Sequence, residues 1–289
     1  MPELPEVEVV KRSLAKNLQN LIIKKVKIND GRLRYRIEKK KISKIIGLKL
    51  KKIERRSKFL LFYFTKNIIM LAHLGMTGKF LYVNNKNIKL KTSFYYSVNE
   101  KKDKKYDRVV FFFNKKIKLI YNDIRKFGFI KLLDNKNFTK NRHLINLGPE
   151  PLRGDFNLLY FKKYIKGRNR AIKDILMDQK FVSGVGNIYA NEILFLSKIK
   201  PFRKVKSLKE FEIKKIVKFT KKVLKKAIKL GGSSIKDFSS SNGKKGSFQQ
   251  HFSVYGKKGD PCPNNRCKSK IIKYSISNRS SFFCSKCQK

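Results

Sequence analysis

The sequence predicts an α+β protein of two domains: an N-terminal helix leading into an antiparallel β-sandwich, then a helical domain closed by a cysteine-bearing hairpin. Three observations carry this reading. Val7, Val10, Leu14 and Leu18 recur at helical spacing; residues 22–134 are broken into short β-branched and aromatic runs; residues 156–230 return to helical spacing ahead of four clustered cysteines. A length of 289 residues suits two domains, and 41% hydrophobic residues exclude intrinsic disorder although 32% are charged.

The first helix begins at Pro5, whose missing N–H costs nothing in an opening turn, with Glu6 and Glu8 at the positive end of the helix dipole. Lys11, Arg12, Lys16 and Asn17 fill its polar face. Strands are expected at 24–28, 59–64, 68–72, 109–113, 118–121 and 129–133, separated by Asn, Lys and Gly turns. The expected boundaries are a sandwich domain over 2–134, a linker over 135–152, a helical domain over 153–232, a loop over 233–252 and a cysteine module over 253–289. The loop is expected to be flexible because Gly and Ser dominate residues 231–246. In the helical part Leu208, Phe211, Ile216, Phe219, Val223, Leu224, Ala227 and Ile228 mark one long amphipathic helix.

Charge bounds the partners. Seventy-two Lys and Arg against 20 Asp and Glu give +52, a self-repulsion that a polyanion would relieve, so nucleic acid or an anionic surface is indicated. Drift in an AT-rich genome accounts for part of the magnitude. The longest apolar run, residues 59–64, is far short of the roughly 18 to 20 residues that span a bilayer. The acidic, proline-broken start is unlike a signal peptide, so a cytoplasmic monomer working on the nucleoid is expected.

Cys262, Cys267, Cys284 and Cys287 have the spacing of two knuckles around one tetrahedral ion, and four thiolates favour structural Zn2+. Between the knuckles Ile272, Tyr274 and Ile276 alternate with Lys273, Ser275 and Ser277, and Asn278-Arg279 makes a basic hairpin tip. Ser183-Gly184-Val185-Gly186-Asn187 reads as the turn of a helix-turn-helix: the glycines admit a close ligand, and Asn187 is expected to cap a helix whose N-terminus favours a phosphate. An ordinary glycine turn explains the same residues. Gly184-x-Gly186-x-x-Tyr189 fails as a dinucleotide motif because a ring stands where Gly or Ala is needed, and Gly75-x-x-Gly78-Lys79-Phe80 is too short for a P-loop. No nucleotide cofactor is expected. Trimming of Met1 would leave Pro2 as a free secondary amine beside the Glu3 carboxyl; an α-amine titrates near roughly 8, so a useful fraction is nucleophilic at neutral pH.

The opening Met1-Pro2-Glu3-Leu4-Pro5-Glu6-Val7-Glu8 resembles that of the bacterial formamidopyrimidine-DNA glycosylases, also called 8-oxoguanine DNA glycosylase/AP lyases. The likeness continues, in order, through residues 73–78 (HLGMTG), 123–128 (DIRKFG), 147–152 (LGPEPL), 183–189 (SGVGNIY) and 284–289 (CSKCQK). It implies that the helical part is a helix-two-turn-helix domain, that residues 233–252 are a lesion-recognition loop and that the hairpin is a zinc finger. The activity implied is base excision repair of oxidised purines in duplex DNA, with base release followed by β,δ-elimination. By this resemblance Pro2 attacks C1′ and forms a Schiff base, Glu3 donates a proton, Lys58 serves the β-elimination, and Arg279 grips flanking phosphates and assists the δ-elimination. Arg168 and Asn187 correspond to phosphate contacts. Extruding the target nucleotide costs a few kcal/mol and leaves a gap. Met76, Arg125 and Phe127 correspond to the residues that fill it, with the arginine reading the orphaned cytosine.

The chain departs from the family pattern in places. The first knuckle has four intervening residues rather than two, Ile124 and Lys126 replace the usual Pro and Arg, and Tyr106 stands at a DNA-contacting position often held by His. The rival readings are an endonuclease VIII-like glycosylase for oxidised pyrimidines, whose relatives usually begin Pro-Glu-Gly-Pro, and a noncatalytic zinc-containing DNA-binding protein.

Overall fold

Pro2 to Leu18 shows how local chemistry starts the first unit. In the computed structural model, which describes residues 1–84, 89–91, 104–134, 138–233 and 248–289, helix α1 spans Leu4–Leu18 with a proline in its opening turn. Glu3 is the N-cap, and the Glu3 and Glu6 side chains satisfy each other's backbone N–H in a capping box. Glu6 is fully buried. Its carboxylate accepts the Glu3 N–H (2.9 Å), the Ser233 N–H (2.8 Å) and the Ser233 hydroxyl (2.9 Å). Val7, Val10, Leu14 and Leu18 are buried, as their spacing predicts.

The chain divides into two compact units, one of Met1–Ile145 with Leu230–Gln249 and one of Asn146–Lys229 with Gln250–Lys289. In the first, the described strands are β1 (Ile23–Ile28), β2 (Leu50–Arg56), β3 (Phe59–Phe64), β4 (Ile68–His73), β5 (Lys79–Val83), β6 (Lys89–Lys91), β7 (Asp107–Phe113), β8 (Lys118–Asn122) and β9 (Phe129–Asp134), with a single helical turn, α2, at Lys39–Ile42. They form two antiparallel sheets, ordered β1-β7-β8-β5-β6 and β2-β3-β4-β9. The Phe62 and Phe80 rings, one from each sheet, meet edge to face at 5.6 Å, and Phe80 contacts Tyr121 at 5.1 Å. Apolar side chains of α1 join that core.

Three strands arise where none is expected: β2, β5 and β6. In β2, LKKIERR, only Leu50 and Ile53 face the core, and its lysines are exposed. A strand at the rim of a sheet needs only those two anchors and a partner to pair with, so its apolar pattern is thin.

The second unit holds α3 (Leu158–Ile165), α4 (Ile172–Met177), α5 (Asn187–Ser197), α6 (Glu210–Lys229) and the hairpin β10 (Ile271–Ile276) and β11 (Arg279–Cys284). Asn157 caps α3 through its side chain. Gly148 must lack a side chain, since a Cβ there would lie 2.5 Å from the Lys180 and Phe181 carbonyls. The buried Glu192 of α5 accepts the N–H groups of Ser253, Val254 and Tyr255 at 2.7 to 3.0 Å, and Asn191 accepts that of Phe282 at 2.6 Å. These bonds fasten the cysteine module to the helices. Residues 234–247, most of the expected recognition loop, lie outside the described residues.

Candidate functional site

The two units carry separate parts of the site. In the first, Pro2 and Glu3 are buried at the start of α1, and Met1 before them is 43% exposed. Lys58 is in the two-residue turn between β2 and β3, where Arg56 pairs with Phe59 and Ser57 takes a left-handed φ of 56°. A chain of contacts fixes that turn relative to the helix: Glu8 of α1 accepts Arg55 Nε (2.9 Å), and Arg55 Nη1 donates to the Ser57 carbonyl (2.9 Å). Burial raises the Glu8 carboxyl, but Arg12 and Arg55 outweigh it and hold the group below its usual range. Lys58 itself is buried and tied into the surrounding contacts.

The Met1 amine is held below its ordinary 8.0, first by burial and then by the charges of Lys58 and Arg125, with Glu3 and Glu6 opposing. The end of the chain, Lys58 and Arg125 thus share one electrostatic neighbourhood. Met1 also lines an open cleft of about 700 Å³ together with Arg34, His73, Met76, Arg125 and Phe127. Met76 and Phe127 are 39% and 46% exposed, unlike core residues, and the Arg125 guanidinium sits 4.5 Å from the Phe127 ring centroid. Tyr106 stands behind this turn: its carbonyl accepts the Asp123 N–H (3.1 Å), and its ring lies 5.7 Å from the Arg108 guanidinium.

His73 has no assigned role from spacing alone, although it lies in the HLGMTG stretch. Burial, then the charges of Lys58 and Arg34, push it down to about 3. Its Nδ1 accepts the Gly75 N–H at 3.1 Å, so the neutral ring carries its proton on Nε2 and can donate. That His73 neighbours Lys58 becomes visible only once β3 and β4 pair Phe59 with His73.

In the second unit, the expectation that Asn187 caps α5 is corrected: the N-cap is Gly186, without a side-chain bond, and Asn187 is the first helical residue. Its Nδ2 instead donates to the Ser280 carbonyl at 3.1 Å, leaving a buried Oδ1 with no hydrogen-bond partner. The buried Lys173 reaches the same Ser280 carbonyl (2.9 Å) and the Ser281 hydroxyl (2.7 Å). Both therefore hold the hairpin next to Arg279, which is exposed. The hairpin turns through Ser277 and Asn278, both left-handed with φ of 47° and 58°, a two-residue connection suited to twisted strands. Ile272 and Tyr274 are 42% and 58% exposed, so this alternating face is not the module's core. Arg168 is exposed on the loop after α3, its guanidinium 4.4 Å from the Tyr164 ring and its Nε bonded to the Tyr164 carbonyl.

The four cysteines are reduced, and their sulfurs all lie within 4.8 Å of one another. Cys262 and Cys287 are 3.7 Å apart, Cys267 and Cys284 3.6 Å. A tetrahedron with metal–sulfur bonds of about 2.3 Å spaces its sulfurs about 3.8 Å apart, so the set fits a metal ion. The longer first knuckle still closes, through the Cys267 N–H to the Asn264 carbonyl (2.7 Å). No described helix is long and apolar enough to cross a membrane.

One unit is a helix-led antiparallel sandwich and the other a set of helices with a four-cysteine hairpin, which together define a class of DNA glycosylase, and the comparisons agree. Residues 1–130 match the formamidopyrimidine-DNA glycosylase N-terminal domain, and residues 147–239 match the formamidopyrimidine-DNA glycosylase H2TH domain. The chain is 40% identical over 290 residues to a formamidopyrimidine-DNA glycosylase of Rickettsia bellii and 36% identical over 289 residues to one of Roseobacter denitrificans, covering 100% of both chains in each case. Among solved structures it resembles a Lactococcus lactis FPG mutant in complex with a Fapy-dG containing DNA (TM-score 0.86, 33% identity, 100% of each chain) and the Lactococcus lactis Fpg with an abasic site containing DNA (TM-score 0.85, 33% identity, 99% of each chain). The chain belongs to the formamidopyrimidine-DNA glycosylase family.

Proposed function

We propose that the protein is a bifunctional glycosylase/AP lyase that removes oxidised purines, such as 8-oxoguanine and formamidopyrimidines, from duplex DNA and then cleaves the strand by β,δ-elimination. The observation that supports it most is the burial of Pro2 at the start of α1, next to a Met1 amine whose electrostatic neighbours include Lys58 and Arg125. With Met1 removed, the Pro2 nitrogen attacks C1′; the bond from C1′ to the base breaks, and the base leaves with a proton. The sugar opens as an iminium on Pro2, with Glu3 as the proton donor. The iminium acidifies the neighbouring C2′, and Lys58 serves the elimination that follows. Arg279, Arg168, Asn187 and Tyr106 hold the DNA backbone, while Met76, Arg125 and Phe127 occupy the space of the extruded nucleotide.

Cys262, Cys267, Cys284 and Cys287 would hold one Zn2+, whose contribution is to fold the hairpin that presents Arg279. The protein works as a monomer in the cytoplasm, on nucleoid DNA, and needs no nucleotide cofactor.

Borohydride reduction in the presence of 8-oxoguanine duplex tests the nucleophile. Wild type, processed to Pro2, should be trapped covalently on its substrate; Pro2→Gly should lose trapping and excision yet still bind the duplex. Undiminished excision by protein shown by mass spectrometry to retain Met1 would sink the mechanism.

A further inference from the structure

Met76 and the Arg125–Phe127 pair come from two separate turns, one following β4 and one following β8. What joins them is a buried carboxylate. Asp123 is fully buried; its Oδ1 accepts the Thr77 hydroxyl, its Oδ2 accepts the Gly128 N–H at 2.9 Å, and the Tyr121 hydroxyl is a further partner. The Thr77 oxygen is in turn the acceptor for the Arg125 N–H at 3.0 Å. Thr77 follows Met76 directly, so a single hydroxyl bridges the two turns by donating to one residue and accepting from another.

The backbones are also pressed together. A Cβ on Gly75 would lie 2.5 Å from the Gly128 nitrogen and 2.6 Å from the Phe127 carbonyl carbon, and one on Gly128 would lie 1.8 Å from the Tyr121 hydroxyl. No room is left for either turn to shift alone. Arg108 secures the outer side, donating to the Asp123 carbonyl at 2.8 Å and to Asp30 at 3.0 Å; Asp30 pairs with Lys126 at 2.8 Å.

We propose that Asp123 and Thr77 are positioning residues that lock the two turns into one rigid wedge, so that Met76, Arg125 and Phe127 enter the duplex in fixed register and Arg125 meets the orphaned base in a geometry that favours cytosine. This rests on the reading of those three side chains as the gap-filling residues. Its physical basis is preorganisation: discrimination by a bidentate base contact survives only if the donor is held within a fraction of an ångström. A loose Arg125 would still neutralise charge but would read the base poorly.

The test compares Thr77→Val, which keeps shape and removes the bridge, with Thr77→Ser, which keeps the hydroxyl. Two readouts are taken: single-turnover excision of 8-oxoguanine opposite cytosine and opposite adenine, and borohydride trapping on a single-stranded abasic oligonucleotide, which has no partner base and no gap to fill. Thr77→Val should lower the cytosine-to-adenine ratio about fivefold or more, the size of one lost base contact. Single-strand trapping should stay within about twofold of wild type, because the wedge lies outside that chemistry. Thr77→Ser should restore the ratio. If Arg125→Ala changes the ratio and Thr77→Val does not, the lock is wrong while the wedge reading stands. If Thr77→Val lowers single-strand trapping as much as duplex excision, the hydroxyl supports the whole fold and the lock is again overturned. If Arg125→Ala itself leaves the ratio unchanged, the wedge reading falls and takes the lock with it.

Discussion

At the residue scale the site is built from groups that are buried and yet tied down. Lys58 owes its place to Glu8 and Arg55, one on α1 and one on β2, so the lysine and the α1 terminus are fixed by the same ion pair. His73 shows what such burial costs. Its ring titrates at about 3 in the fold against an ordinary 6.5. Between these values the unfolded chain binds a proton at this site that the folded chain does not, so the term is absent above about pH 6.5 and stability falls as pH drops toward 3. Each pH unit is worth at most about 1.4 kcal/mol, less where solvent reaches the ring. His73→Asn should therefore gain stability relative to wild type as the buffer goes from about pH 7 to about pH 5, read from urea midpoints. A constant difference between the two proteins would mean that the folded ring takes up its proton over the same pH range as the unfolded one.

At the element scale the cysteine hairpin is short, and its small cluster of Val254, Cys262, Ile271, Phe282 and Cys284 is scant material for a core. A structural metal contributes on the order of 10 to 16 kcal/mol to such a fold. Cys284→Ser, or prolonged chelation, should release one zinc per chain by atomic absorption and disorder the turn beside Arg279. DNA binding and strand cleavage should fall together, while the circular dichroism of the sandwich persists. Fully active, metal-free protein would show the module to be dispensable. The helical elements carry charge in a different way. Arg168 projects from a loop held by the Tyr164 ring, so it can neutralise a phosphate without reading a base. Arg168→Ala should weaken damaged and undamaged duplex equally and reduce the slope of log affinity against log salt by about 1. A loss confined to the damaged duplex would make it a lesion contact instead.

At the scale of the whole molecule, the parts legible in the sequence are those where local pattern and burial agree. Residues 59–64, FLLFYF, form β3 with the expected bounds because four of the six are buried and the run has no competing period. The four thiols were legible because their spacing is that of two metal-binding knuckles, and the fold brings their sulfurs within 4.8 Å of one another. β2 was not, since its two apolar anchors look like noise until β3 pairs with it. Nor were the surroundings of Lys58, His73 and Asp123, which are set by partners many residues away. Lys58 was singled out through the family likeness alone. Asn187 was assigned the right neighbourhood and the wrong bond: the glycine before it takes the cap, and its amide turns to the hairpin.

The bond between Glu6 and Ser233 links residues 227 positions apart. On a ribosome the helix bearing Glu6 emerges first, and the strands that cover it follow, yet two of the donors to its buried carboxylate arrive only after α3 to α6 have been synthesised. Hydrogen bonds to a charged group are worth about 1.5 to 3 kcal/mol each. The nascent sandwich therefore waits, short of its final stability, through roughly 80 to 90 residues of further translation, a matter of several seconds to tens of seconds at ordinary elongation rates. Completion of the sandwich unit is in this way timed to the synthesis of α3 to α6.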